Sequence, residues 1–368
     1  MRDYTGKKVF LGIDVHKQHY SVTAICEGQV VKKDKLVAQP DTLVTYLRKC
    51  FSKAEIISAY EAGFCGFHLH RYLERHGVQN NVIHAAGMEI AIGDKVKTDK
   101  RDSLKLAVQL SVGRLEGIFV PEKEREDFRT ISRLRDKFLS QRSRIGCQLK
   151  SLLFLQGMIP PNDDQKVSSK WIKSVLSQEM TPDIKYAVQQ LADLWLHMAA
   201  KIKEIDKRLM EQSLHDEHLE RIYQSVPGVG PLAARILANE LGDMSQFPNE
   251  RKLFSFTGLT PSEYSSGTHV RQGHISRQGR PVLRRVLVQS AWVAIRYDYD
   301  LLQVYERISQ KSGKKKAIVA IARRLVGRIR SCLKRGEVYQ VRSVPDQSII
   351  NIEMSEIDEE TGEIIGQN

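Results

Sequence analysis

Cysteine is sparse in these 368 residues, and its placement excludes two chemistries. The five cysteines, at 26, 50, 65, 147 and 332, lie far apart, form no Cys-x-x-Cys pair and are odd in number. That pattern argues against a zinc site and a disulfide framework, and for free thiols in a reducing compartment. The start of the chain, Met1 to Gly6, has no cationic lead into an apolar core of signal-peptide length, and no apolar run approaches about eighteen residues. The expectation is a soluble, cytoplasmic protein with no membrane partner. Acids are scarce where bases are dense: from Tyr264 to Arg335 there are seventeen Lys or Arg against three acids. Bases in turn are missing from the end, where Asp346 to Asn368 holds seven acids and no Lys or Arg, the signature of a disordered acidic tail. The net charge of +13 therefore conceals a far more basic body, and a concentrated basic excess attracts polyphosphate through counterion release.

What is present begins with an alternating α/β pattern. Lys8 to Val15, His19 to Cys26 and Gln29 to Val37 read as three strands in an antiparallel meander. Pro40 to Phe51 is an amphipathic helix with Leu43, Leu47 and Phe51 one turn apart. A fourth strand over Ala54 to Ala59 leads to Glu61 at its exit, followed by a helix from Phe64 to His76 and a strand from Val78 to His84. In the first strand Asp14 is set among apolar neighbours, where a lone charge is expensive unless it faces a cation, a metal or a cleft. The bland alternative is a strand-end aspartate turned to water. Lys97 to Asp102 opens a helix running to about Leu115, with Asp99 and Asp102 three residues apart on one face. Asp14, Glu61, Asp99 and Asp102 make four acids that this order of elements can bring together. Such oxygen ligands suit hard divalent cations, and two of these about 3.5–4 Å apart stabilise attacking and leaving oxygens in phosphoryl transfer. Two acids on a helix are otherwise a solvated face or a match to the helix dipole.

The middle of the chain is helical. Glu122 to Gly157 is consistent with one long helix or two broken near Gly146, and Pro160-Pro161-Asn162-Asp163-Asp164 is a break. From Thr181 on, Ile184, Val188, Leu191, Trp195, Met198, Ile202, Ile205 and Leu209 recur in steps of four and three, a coiled-coil seam of roughly 39 Å at about 1.5 Å per residue. Its partner is either the first long helix or a second subunit. Ser225 to Gly230 followed by Pro231 resembles a helix-hairpin-helix turn, in which Gly228 and Gly230 expose backbone N–H groups to a DNA phosphate without reading sequence. The rival is an ordinary glycine-capped helix end. Further on, Lys314 to Arg330 reads as a basic helix whose apolar residues still face a core.

The densest stretch is Phe256 to Arg285. Gly258, Gly267, Gly273 and Gly279 interrupt regular structure and leave hydroxyls and guanidiniums on loops. A helix begins near Pro281, its N-terminal dipole adding to the attraction for phosphate. A serine beside arginines is either a phosphate contact or a nucleophile whose transition-state charge the guanidiniums stabilise.

The order Gly258-Leu259-Thr260-Pro261, Tyr264-Ser265-Ser266-Gly267, Arg271-Gln272-Gly273-His274-Ile275-Ser276-Arg277-Gln278-Gly279 and Leu283-Arg284-Arg285 resembles the C-terminal signature of the serine-dependent insertion-sequence transposases. The N-terminal acids match that family's Asp, Glu, Asp, Asp motif in order: Gly12-Ile13-Asp14, Glu61-Ala62-Gly63, then Asp99 and Asp102 after Lys97-Thr98. The resemblance reaches to about Lys334 and leaves the tail unaccounted for.

It implies an α/β plus α architecture: an RNase H-like (RuvC-like) domain over residues 1–115, a helical coiled-coil connector over 116–224, and a mainly α serine transposase domain over 225–342 with the helix-hairpin-helix-like turn. The acidic tail, 343–368, would follow. It also implies a DNA transposase or recombinase in which Ser266 is the nucleophile, with Ser265 an adjacent hydroxyl the motif does not require. Asp14, Glu61, Asp99 and Asp102 would hold Mg²⁺, Arg271 and Arg277 would serve the transition state, and Arg280, Arg284 and Arg285 with Gly228 and Gly230 would contact nucleic acid. The partners implied are donor and target DNA, a structured guide (bridge) RNA and further copies of the chain, as a dimer or tetramer. Two other readings remain: a metal-dependent DNA junction nuclease using water as nucleophile, and a non-catalytic DNA-binding regulator.

Overall fold

The computed structural model describes residues 3–84, 99–160, 164–263, 272–276 and 279–341. Two compact units divide at Pro121 and Glu122.

The first unit is built on a five-stranded sheet of β1 (Lys8–Val15), β2 (His19–Cys26), β3 (Gln29–Val37), β4 (Glu55–Glu61) and β5 (Gln79–Ile83), in the order β3-β2-β1-β4-β5. The meander β1-β2-β3 is antiparallel, whereas β1 pairs with β4 and β4 with β5 in parallel. Three helices cover the sheet: α1 (Pro40–Cys50), α2 (His68–Arg75) and α3 (Asp99–Ser111). Period-two alternation sorts the side chains. Val9, Leu11, Ile13 and Tyr60 face Leu43 and Leu47 of α1 and Leu69 and Leu73 of α2 in one core. On the opposite face Ala59 and Ile83 pack against Leu106 and Leu110 of α3.

Gly12 is the hinge of that second layer. A β-carbon placed on it would stand 2.1 Å from the carbonyl oxygen of Ser103 and 2.5 Å from the amide nitrogen of Ala107. Only a glycine admits the backbone of α3 this close to the central strand. A hydroxyl pair, Thr23 Oγ1 and Ser103 Oγ at 2.9 Å, is buried beside the contact.

The second unit carries α4 (Lys123–Leu155), α5 (Ser169–Leu176), α6 (Pro182–Ser213), α7 (Glu217–Gln224), α8 (Pro231–Leu241) and α9 (Glu250–Thr257). A two-stranded antiparallel ribbon of β6 (Pro261–Glu263) and β7 (Gln272–Ile275) follows. The chain then runs through α10 (Pro281–Tyr297), α11 (Tyr299–Ser312) and α12 (Lys314–Arg335). α4 and α6 lie antiparallel: Arg135 bonds Asp206, Arg142 sits over the Trp195 ring, and Leu149 and Leu153 share a core with Val188 and Ala192. The apolar seam of α6 thus takes α4 of the same chain as its partner. α4 runs unbroken through Gly146, which packs beside Trp195 with ordinary van der Waals room for a β-carbon. A separate core joins α7 through α12 around Tyr223, Leu237, Leu283, Leu287, Ile321 and Leu325, all fully buried. Among the described residues, no helix is long and apolar enough to cross a membrane.

Candidate functional sites

In the first unit the parallel register couples Ile13 of β1 to Tyr60 of β4, so Asp14 and Glu61, one step further on, stand at the C-terminal ends of neighbouring strands. Alternation puts Asp14 on the face of Gly12, and Glu61 on the face of Ala59. Both therefore share the face covered by α3. That helix runs back along β1, with Ser103 and Ala107 over Gly12 and Leu110 joining the later core. Its first turn, with Asp102, consequently approaches the sheet from the strand ends. Asp99 is the first residue of α3 and only its backbone is described.

Asp14, Glu61 and Asp102 are all half-buried. Asp14 Oδ2 is 3.0 Å from His16 Nε2, and the His16 ring stacks on that of His19 with centroids 4.7 Å apart. His16 holds one carboxylate oxygen in place, a role absent from the sequence reading although the spacing Asp-x-His was visible. The donor chemistry, carboxylate oxygens at strand ends, fits a hard divalent cation. Among the described residues, no group of three or more His, Cys, Asp or Glu side chains is gathered as a metal-binding cluster.

In the second unit the ribbon β6–β7 frames the serine cassette. Ser262 Oγ donates to the His274 carbonyl at 3.0 Å, and the Ser276 N–H donates to the Thr260 carbonyl at 2.8 Å. Ser265, Ser266, Arg271 and Arg277 lie outside the described residues. The far end of the cassette is pinned by Gly279, at φ +80°, where a β-carbon would be 2.1 Å from the Phe256 carbonyl oxygen. Pro281 then starts α10.

The remaining predicted contacts separate by their surroundings. Arg280 is exposed at the N-cap of α10, with Arg133, Asp136 and Glu240 as charged neighbours. Arg284 is half-buried, and Arg285 Nη2 is bound to Asp136 Oδ1 of α4 at 2.5 Å. Arg285 thus ties α10 to α4.

The turn between α7 and α8 forms as expected, but its glycines differ. Gly228, at φ +80°, packs against α10: a β-carbon would meet Val293 Cβ at 2.6 Å, and its carbonyl accepts from Ser290 Oγ at 3.0 Å. Gly230 caps α8 with φ −74° and has open space where a side chain would go.

One arginine row escaped the sequence reading altogether. Arg125, Arg129 and Arg133 occupy one face of α4 at four-residue steps and meet the last turn of α8. Arg125 donates to the Ala238 carbonyl, and Arg129 donates to those of Asn239 and Glu240, each at 2.9 Å. Arg133 grips the fully buried Glu240 carboxylate with two bonds of 2.8 and 2.9 Å. Cations there answer the negative end of the α8 dipole and the carbonyls left without helical partners. Nothing local in the sequence announces bonds that span more than one hundred residues.

Comparison with known families matches both units. A family model described as Transposase (DEDD_Tnp_IS110) matches residues 11–158, and one described as Transposase IS116/IS110/IS902 family matches residues 220–306. The putative transposase y4rJ of Sinorhizobium fredii is 27% identical over 90% of this chain and 93% of its own length. The transposase for insertion sequence element IS1111A of Coxiella burnetii is 24% identical over 90% of this chain and 91% of its own. That for IS1533 of Leptospira borgpetersenii is 26% identical over 78% and 85%. The class is that of the insertion-sequence transposases. The chain belongs to the IS110/IS116/IS902 family.

Proposed function

We propose that this transposase cuts and rejoins DNA through Ser266, assisted by a divalent cation held by Asp14, Glu61, Asp99 and Asp102. The observation that carries the acid half is the coincidence of Asp14 and Glu61 on one sheet face at adjacent strand ends, under a helix that begins with Asp99 and Asp102. The strand order β3-β2-β1-β4-β5, with an antiparallel meander and parallel β4 and β5, supports an RNase H-like reading of the first unit. Family membership supports DNA as the substrate.

The serine Oγ would form a bond to phosphorus as the bridging oxygen of the DNA strand leaves. The serine proton passes to a base and the departing oxygen takes one up. Attack by the hydroxyl of a second strand reverses the exchange and releases Ser266, so phosphodiester bonds are conserved. The cation, when bound, supplies charge neutralisation at the phosphate; Mg²⁺ suits the all-oxygen donors. Arg271 and Arg277 neighbour Ser266 in sequence and are the candidate stabilisers of the same charge. The basic excess from Tyr264 to Arg335 supports nucleic acid beyond the cleaved strands, and the family resemblance points to a structured guide RNA.

The test is a denaturation-resistant protein–DNA adduct. It is expected with the wild type and with Ser265→Ala and absent with Ser266→Ala, which still binds DNA because no charge is lost. An adduct lost only in Ser265→Ala moves the nucleophile by one residue. Strand cleavage at wild-type rate in both variants, with no adduct, establishes water as nucleophile and a junction nuclease.

A further inference from the structure

A cleft of about 640 Å³ opens between α9 and α12, at the root of the β6–β7 ribbon. At its floor Gly327 of α12 faces α9: a β-carbon there would be 3.2 Å from Glu250 Oε1 and 3.6 Å from Phe254 Cζ. Arg251 comes from α9, and Arg323 and Arg324 from α12; among the described residues Glu250 is the one acid in the lining. Arg251 and Arg324 are exposed. Arg323 is held over the Phe254 ring, 5.8 Å from its centroid. Arg328 also lines the cleft but is already engaged, with Nη1 2.8 Å from Asp298 Oδ2 and 2.9 Å from the Tyr339 hydroxyl.

The decisive atom is Thr260 Oγ1. Thr260 lines this cleft, and its Oγ1 is buried and has no hydrogen-bond partner among the described residues. A buried hydroxyl left unpaired is costly, and a ligand oxygen seated beside it removes that cost. The Thr260 carbonyl meanwhile holds the N–H of Ser276, whose own hydroxyl is likewise buried and has no partner among the described residues. The hydroxyl is thus fixed at the base of the ribbon that frames the serine segment.

We propose that this cleft is a nucleotide subsite for a polynucleotide strand. Arg251 and Arg324 take the backbone phosphate, Thr260 Oγ1 donates to one of its oxygens, and the guanidinium of Arg323, backed by Phe254, presents its plane to a base. The volume is that of a site for a nucleotide-sized group and exceeds what a lone phosphate needs. Stacking on arginine planes and aromatics is the sequence-tolerant way to hold an unpaired base. The inference rests on the transposase reading and adds a grip on the strand that the serine and the acids do not provide.

Binding of the full chain to a labelled single-stranded DNA, the same sequence as RNA, and its DNA duplex is measured by fluorescence anisotropy across a salt series. Arg251→Gln with Arg324→Gln is expected to lower the slope of log affinity against log salt for a single strand by about 0.7 for each phosphate the variant no longer neutralises. Thr260→Val, which keeps shape and charge, is expected to weaken binding by about tenfold with the slope unchanged. A larger loss with RNA assigns the subsite to a guide strand, and a larger loss with DNA to a substrate strand. Lys170→Gln with Lys173→Gln on α5 removes the same charge elsewhere. Equal losses in that control, or wild-type slope and affinity in a folded Arg251/Arg324 variant together with Thr260→Val, overturn the subsite. If the wild type binds none of the three probes, the proposed cutting and rejoining of DNA falls with it. If the wild type forms its serine adduct while the cleft variants bind normally, the subsite alone falls.

Discussion

Gly12 of β1 and Ser103 of α3 are in backbone contact, and this contact sets where the first turn of α3 meets the strand ends. An alanine at position 12 must push α3 away from the sheet, since the atoms it meets are backbone and have no rotamer to change. Gly12→Ala is expected to cost at least the roughly 1–3 kcal/mol of an overpacked core, and to lower recombination further by shifting the first turn of α3 that carries Asp102. Hydrogen exchange of α3 amides checks the first effect and the recombination rate of the folded fraction checks the second. Wild-type protection and activity would refute the role given to this glycine.

Asp14→Asn, Glu61→Gln and Asp102→Asn each remove a charge while keeping a polar side chain of the same size. If each ligates a cation that stabilises transition-state charge, each change is expected to lower the cleavage rate about a hundredfold or more, with a raised Mg²⁺ requirement. His16→Ala, which removes the His16 contact to Asp14 Oδ2, should raise the Mg²⁺ requirement more mildly, by about 10–100-fold in metal affinity. A magnesium titration of cleavage separates the two grades. Unchanged titrations in all four variants would remove the acid site.

The strand positions of Asp14 and Glu61 were legible because their elements are. β1, β2 and β3 occupy the spans expected from alternation, and Glu61 closes β4 as its apolar run implies. Short hairpins leave alternation little freedom of register. The seam of α6 was equally visible, but whether α4 or another subunit filled it depended on packing that one helix cannot encode. α5 was missed: its eight residues are too short for a period, although Ser168 caps it by accepting from the Trp171 N–H. The ribbon β6–β7 was also missed, because its short strands gain their form only from each other. Gly12 carried a signal that went unused, since a glycine inside an apolar strand marks a close approach.

His70 of α2 gives the first unit a pH dependence of known sign. Its Nδ1 lies 3.0 Å from the Asn80 side-chain amide, whose oxygen accepts from the buried Ser58 hydroxyl at 2.7 Å. Burial holds the His70 imidazole below its ordinary value, against the opposing pull of Glu74. The folded unit therefore binds fewer protons than the unfolded chain near the ordinary histidine range. Stability is full above that range and is lost as pH falls through it. Exchange protection of β4 and β5 amides should drop between about pH 7 and 5.5, and His70→Gln should flatten the drop. The three tryptophans, 171, 195 and 292, lie in the second unit, so their fluorescence should not follow it. Protection that rises on acidification would reverse the assignment.

The two glycines of the α7–α8 turn should behave oppositely, although both were nominated for the same phosphate contact. Gly228 has a left-handed φ and stands against Val293 and Ser290, so Gly228→Ala incurs backbone strain of about 1–3 kcal/mol in addition to the clash. The damage is to the core between α8 and α10, and thermal unfolding followed by tryptophan fluorescence should register it, since Trp292 is on α10. Gly230 has an ordinary φ and open space, so alanine there loses only cap preference, about 1 kcal/mol or less. What an added methyl would obstruct is close approach of a phosphate to the N–H groups at the start of α8. Gly230→Ala is therefore expected to leave the melting temperature nearly unchanged and to weaken duplex binding several-fold at fixed salt. Because no charge is removed, the salt slope should stay at its wild-type value. If Gly230→Ala binds duplex as the wild type does, the turn is a structural corner and its role in holding phosphate is withdrawn. If Gly228→Ala melts with the wild type, the packing account of the turn fails instead.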